Sequence, residues 1–94
     1  MAQLTVLAAG LTAAISSDIV VAAGASITVG IFSAAAELAP EWLVFVIDQV
    51  TPGAINSIGT LDGTRRQVVL AGPGTFRVRR PAYPTTAFGV FIET

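Results

Sequence analysis

Residues 19–36 read IVVAAGASITVGIFSAAA, an uncharged stretch of 18 residues on which the fold class turns. Its length meets the rule for a membrane-spanning helix. Its pattern does not, because Ser26, Thr28, Gly30 and Ser33 interrupt it and β-branched residues dominate it. No Lys or Arg flanks it to set an orientation, the next cationic side chain being Arg65. Ser26, Thr28 and Gly30 alternate with Ile27, Val29 and Ile31, the period of two of a strand with one buried face. Asp18–Ala22 is a β-branched run ahead of it and Ala23-Gly24 supplies a turn, so the stretch predicts a hairpin. A small membrane protein with a span near 19–36 is the rival reading.

Outward from this stretch, strand signals recur along the whole chain. Residues 5–13 (TVLAAGLTA) and 19–27 (IVVAAGASI) share V-x-A-A-G-x-[ST] at an offset of 14, a repeated strand-turn device too closely spaced for a solenoid. Pro40 removes a backbone donor and biases Ala39 away from helix, so Ala34–Glu41 reads as a loop. Trp42–Val50 (WLVFVIDQV) is a nearly continuous apolar run, the mark of a strand covered on both faces at a core or a subunit interface. Thr51-Pro52-Gly53 ends it. Ile55–Leu61 follows with the turn signal Asp62-Gly63, and Ala87–Glu93 closes the chain. About eight short strands in a single all-β domain over residues 1–94, a β-sandwich or jelly roll, are predicted.

Gly72-Pro73-Gly74 suits a type II turn, which makes Arg66–Arg80 read as a hairpin with Val69, Phe76 and Val78 on one face and Arg66, Arg77 and Arg79 on the other. Arginines set side by side repel, and carboxylates are their best partners because guanidinium binds them bidentately. All five cations, Arg65, Arg66, Arg77, Arg79 and Arg80, lie after residue 64, whereas Asp18, Glu37, Glu41, Asp48 and Asp62 precede it. The first 64 residues carry minus five and the rest, with Glu93, plus four. Such a division steers assembly between copies or pairs the two parts of one fold. Arg66, Arg77, Arg79 and Arg80, with Trp42 and Phe45, are the candidate interface residues.

The chain has no His, Cys or Lys. Most nucleophile–base pairs need one of them, and disulfides and thiolate-held metals are excluded outright. Asp48 and Glu93 at strand ends are the remaining carboxylates for acid–base work, and strand-end acids more often pair with arginine. The acids show no Asp-x-Asp-x-Asp-Gly spacing. No catalytic residue, cofactor, metal or small-molecule substrate is therefore expected. Five cations against six acids leave no basic footprint for nucleic acid. Met1–Ser17 lacks the charged n-region of a signal peptide. With 53% apolar and 12% charged residues, about half the usual charged fraction, a chain of this size predicts apolar surface buried by self-association.

Val20–Gly24 (VVAAG), Thr28–Phe32 (TVGIF), Gly72–Val78 (GPGTFRV), Arg80-Pro81-Ala82 and Gly89–Glu93 (GVFIE) together resemble small virion proteins of tailed bacteriophages, most closely capsid decoration (cement) proteins. The resemblance implies a sandwich or jelly-roll body that sits as an oligomer on the virion, assembled in the host cytoplasm, and braces neighbouring major capsid subunits. It also suits a head-fibre base or a small tail-assembly component. Met1–Ser17 is then expected to act as an edge strand, or as an arm that adds a strand to a neighbour's sheet.

Overall fold

The structure is a computed structural model that describes residues 3–33, 35, 39–51 and 54–94. Nine strands form: β1 (Gln3–Gly10), β2 (Ala14–Ile15), β3 (Ile19–Val21), β4 (Ser26–Ser33), β5 (Phe45–Thr51), β6 (Ala54–Leu61), β7 (Gln67–Ala71), β8 (Gly74–Arg80) and β9 (Phe88–Glu93). The alternation in β4 does what it predicts: Ile27, Val29 and Ile31 are buried, whereas Ser26 is exposed and Thr28 half-buried. Residues 19–33 are thus two strands and a turn. Among the described residues no helix is long and apolar enough to cross a membrane, which corrects the rival reading of a span near 19–36.

The strands make two antiparallel sheets, sheet I in the order β1-β9-β4-β7 and sheet II in the order β2-β8-β5-β6, with β3 also on β8. β2 pairs with the end of β8 and β3 with its start, so they are two pieces of one edge strand. Ser16 between them stays on the ladder: its N–H donates to the Val78 carbonyl and its Oγ accepts from the Val78 N–H, each at 2.9 Å. The Ser17 N–H turns away to the Val6 carbonyl of the other sheet at 3.0 Å. Counted this way there are eight strands, in the orders 1-8-3-6 and 2-7-4-5, which is the strand order of a jelly roll. The all-β sandwich of short strands is therefore as expected.

Two expected hairpins are not hairpins. β3 and β4 lie in opposite sheets, as do β7 and β8, so the Ala23-Gly24 and Gly72-Pro73-Gly74 turns are corners between sheets. At the first, the Ala25 N–H donates to Ala22 O at 3.1 Å and Gly24 has φ of 78°. At the second, the Gly72–Pro73 peptide is cis. The corners pack on each other, with the Gly72 N–H donating to Ala25 O at 2.9 Å. Val69 is consequently exposed on sheet I and does not share a face with Phe76 and Val78. The true local hairpin is β5–β6, whose register runs to Thr51 opposite Ala54; Pro52 and Gly53 lie outside the described residues. Glu37 and most of the 34–38 segment lie outside them too.

Residues 3–10, offered as an arm, form the edge strand β1 of sheet I, paired with β9 in this same chain. The core between the sheets is filled by Phe45, Ile19, Leu43, Ile47, Leu61, Val29, Val78 and Val90, all fully buried. Each contributes about 1.5–3 kcal/mol relative to exposure. Part of the outer face of sheet I is covered by its own aromatic rings: a Cβ on Gly30 would lie 2.5 Å from the Phe91 ring, and one on Gly89 2.6 Å from the Phe32 ring. Among the described residues no aromatic ring lies over the outer face of sheet II in this way.

Candidate docking surfaces

The arginines, clustered in sequence, end in three environments. Arg80 is buried, and its guanidinium crosses to the other sheet. Nε donates to Thr12 O at 2.8 Å, and Nη1 donates to Ala8 O at 2.7 Å and Phe88 O at 2.9 Å. Burial pulls its pKa down from the ordinary arginine value. Arg80 therefore fastens one end of the sandwich, and the expectation that it faces a partner is corrected. Phe45 is corrected likewise: it is fully buried, its ring edge-on to Phe88 at 6.3 Å, because the strand that carries it sits in the middle of sheet II.

Arg77 and Arg79 do share a face, the outer face of sheet II, but carboxylates of the same chain meet them there. Arg79 Nε donates to Asp48 Oδ2 at 2.6 Å, and Ser57 Oγ donates to Asp48 Oδ1 at 2.8 Å. Asp48 is only 5% exposed. Arg77 Nε donates to Asp18 Oδ1 in a more open pair, which holds the Arg77 pKa above its ordinary value through the hydrogen bond and the opposite charge. Of the two readings of the charge division, pairing within one fold takes these two arginines.

Register shows what surrounds the two pairs. Across sheet II, Ile15, Arg79, Val46 and Thr60 form one row, Arg77, Asp48 and Ser57 the next, and Val20, Thr75, Val50 and Ile55 the third. Ile15, Val20 and Ile55 are 58%, 73% and 61% exposed. The face thus carries exposed apolar groups, Ile15 at one end and Val20 and Ile55 at the other, around two ion pairs, Arg79–Asp48 and Arg77–Asp18, whose charges cancel. An apolar groove of about 420 Å³ runs along it beside Ile15, Val44, Val46 and Pro81. Desolvating such a face leaves no uncompensated charge, and exposed apolar patches of this kind mark docking sites. Ile15, Val20 and Ile55 were not singled out in the sequence, although β-branched residues at the polar phase of a strand are the signal for them.

A second surface forms where four loops converge at one end of the sandwich. The Tyr83 N–H donates to Leu11 O at 2.9 Å, joining the β8–β9 loop to the β1–β2 loop. Trp42 lies edge-on to Tyr83 at 5.4 Å, which brings in the β4–β5 loop. A Cβ on Gly63 would lie 1.9 Å from Ala39 O, so the β6–β7 loop lies directly against it. The Asp62-Gly63 turn is present as expected, with Asp62 Oδ1 accepting from Thr64 Oγ1, Thr64 N and Arg65 N at 2.6, 2.8 and 3.0 Å. Trp42 and Arg66, two of the candidate interface residues, stand exposed at this end together with Glu41 and Arg65.

Asp48 and Glu93, the carboxylates considered for acid–base work, lie on the outward faces of opposite sheets and share no site. Comparison with protein families, curated proteins and solved structures finds no match to this chain.

Proposed function

We propose that this protein is a structural component of a phage virion, one that decorates and stabilises the capsid by self-association and by contact with the major capsid protein. The observation that carries this reading is the outer face of sheet II, where exposed Ile15, Val20 and Ile55 flank charges already neutralised within the chain. Such a face suits a broad protein surface, because burying it removes apolar area from water without stranding a charge. The resemblance to decoration proteins supplies the virion as the place.

The test is co-sedimentation with shells of the major capsid protein from the phage that encodes the chain. Wild type is expected to bind and to raise the temperature at which the shells break open. Val20→Glu and Ile55→Glu, at exposed positions, should keep the fold and lose binding. Binding unchanged in both variants sinks the assignment to this face. Attachment to tails or fibres in place of shells would make the protein a tail-assembly component or a head-fibre base.

A further inference from the structure

We infer that the loop end of the sandwich is an isologous interface at which two copies of this chain meet about a two-fold axis. Arg77, Arg79 and Arg80 are engaged inside the fold, and the Asp62 carboxylate is taken up by its own turn. Glu41, Arg65 and Arg66 are exposed, and none of their side chains makes an ion pair among the described residues. Glu41 follows Ala39 and Pro40, the segment that touches Gly63, and Arg65 lies two residues after Gly63. One end of the molecule therefore carries both signs, on adjacent loops.

That arrangement selects the partner. A patch of one sign would call for a different molecule with the opposite sign. A patch with both signs side by side is complementary to itself, because a two-fold rotation lays Glu41 of each copy toward Arg65 and Arg66 of the other. Trp42 sits within this patch at 69% exposure, with one edge braced by Tyr83, so it is a large aromatic group held in place before contact. Interface energy concentrates in anchors of that kind. Leu11, 45% exposed, adds apolar area beside it. The inference deepens the self-association part of the proposed function, and it leaves the outer face of sheet II free for a shell.

Sedimentation velocity and light scattering over a concentration series decide it. Wild type is expected to form a dimer that weakens with added salt. Glu41→Arg alone, or Arg65→Glu together with Arg66→Glu, should weaken the dimer at least about tenfold, since each sets like charges against one another. The three substitutions combined in one chain invert both signs and should restore the dimer. Trp42→Ala should weaken it by about tenfold or more. All these positions are exposed, and unchanged thermal unfolding of each variant checks the fold. A wild type that stays monomeric, partial swaps that leave the dimer intact, or a triple variant that fails to recover it would each overturn the inference. Shell binding is read separately on the same proteins, so a monomer that still binds shells removes this interface and keeps the proposed function.

Discussion

Gly10 and Arg80 share one space: a Cβ on Gly10 would lie 2.8 Å from Arg80 Nη2 and 3.2 Å from its Cζ. The guanidinium cannot step aside, because its Nε is held by the Thr12 carbonyl and its Nη1 by the Ala8 and Phe88 carbonyls of sheet I. Gly10→Ala should therefore cost about 1–3 kcal/mol, as overpacking does. In an Arg80→Met background the same change should cost much less. A double-mutant cycle by urea denaturation reads the coupling, and additive costs would show that the two positions do not compete.

Loss of Arg80 itself should be among the costliest charge removals in the chain. Arg80→Met removes the donor from the carbonyls of Ala8, Thr12 and Phe88, of which the Phe88 bond is buried and the other two part-buried, and an unpaired buried acceptor costs about 1–3 kcal/mol. A loss of about 3 kcal/mol is expected. Arg80→Lys should recover little of it, since a single ammonium cannot reproduce the fork that Nε and Nη1 present. Full rescue by lysine would mean that the charge matters and the geometry does not.

The two ion pairs on sheet II should differ in weight. Asp48 is nearly buried beneath Arg79, so Arg79→Met strands a carboxylate and should cost about 2 kcal/mol. Asp18 and Arg77 are 51% and 37% exposed at the side chain, and Arg77→Met should cost less than about 1 kcal/mol. Thermal denaturation of the two variants settles the order; equal losses would place Asp48 in a wetter setting than its burial indicates.

The strands were legible in the sequence because alternation is local, as Ile27, Val29 and Ile31 show. Which sheet each strand joins was not. Ala23-Gly24 and Gly72-Pro73-Gly74 encode a reversal of the chain, and the same reversal serves a hairpin or a corner. What decides is non-local: Leu70 must face the core from sheet I and Phe76 from sheet II. The arginine cluster divides for the same reason. Arg79 and Arg80 are neighbours in sequence, yet one lies over Asp48 on an outer face and the other reaches carbonyls between the sheets. Trp42 and Arg66, read as strand residues from the apolar run and the turn signal, lie instead in loops just ahead of β5 and β7 and are exposed there.

The second corner gives a sharp test of this topology. A Cβ on Gly72 would lie 2.0 Å from the Ala22 carbonyl oxygen, and backbone cannot yield there as a flexible side chain would. Gly72→Ala should force the two corners apart, break the Gly72 N–H to Ala25 O bond and cost about 2 kcal/mol or more. A hairpin between β7 and β8 would leave Gly72 clear of Ala22, so a neutral Gly72→Ala in chemical denaturation would speak against the crossed sheets.

Asp62 sets the response to acid at the loop end. Its Oδ1 accepts three hydrogen bonds, from the Thr64 hydroxyl and from the N–H groups of Thr64 and Arg65, and these favour the charged carboxylate. Together with the nearby Arg65 charge they hold its pKa below the usual value. A carboxylate with a lower pKa in the folded than in the unfolded chain stabilises fully above the unfolded value, and that stabilisation is lost as pH falls toward the folded one. The melting temperature of wild type should therefore exceed that of Asp62→Ala at neutral pH, and the gap should narrow below about pH 4, where unfolded carboxylates take up protons. Calorimetry from pH 7 downward measures it. A gap that stays constant into strong acid would mean that the turn draws on the shape of the side chain and not on its charge.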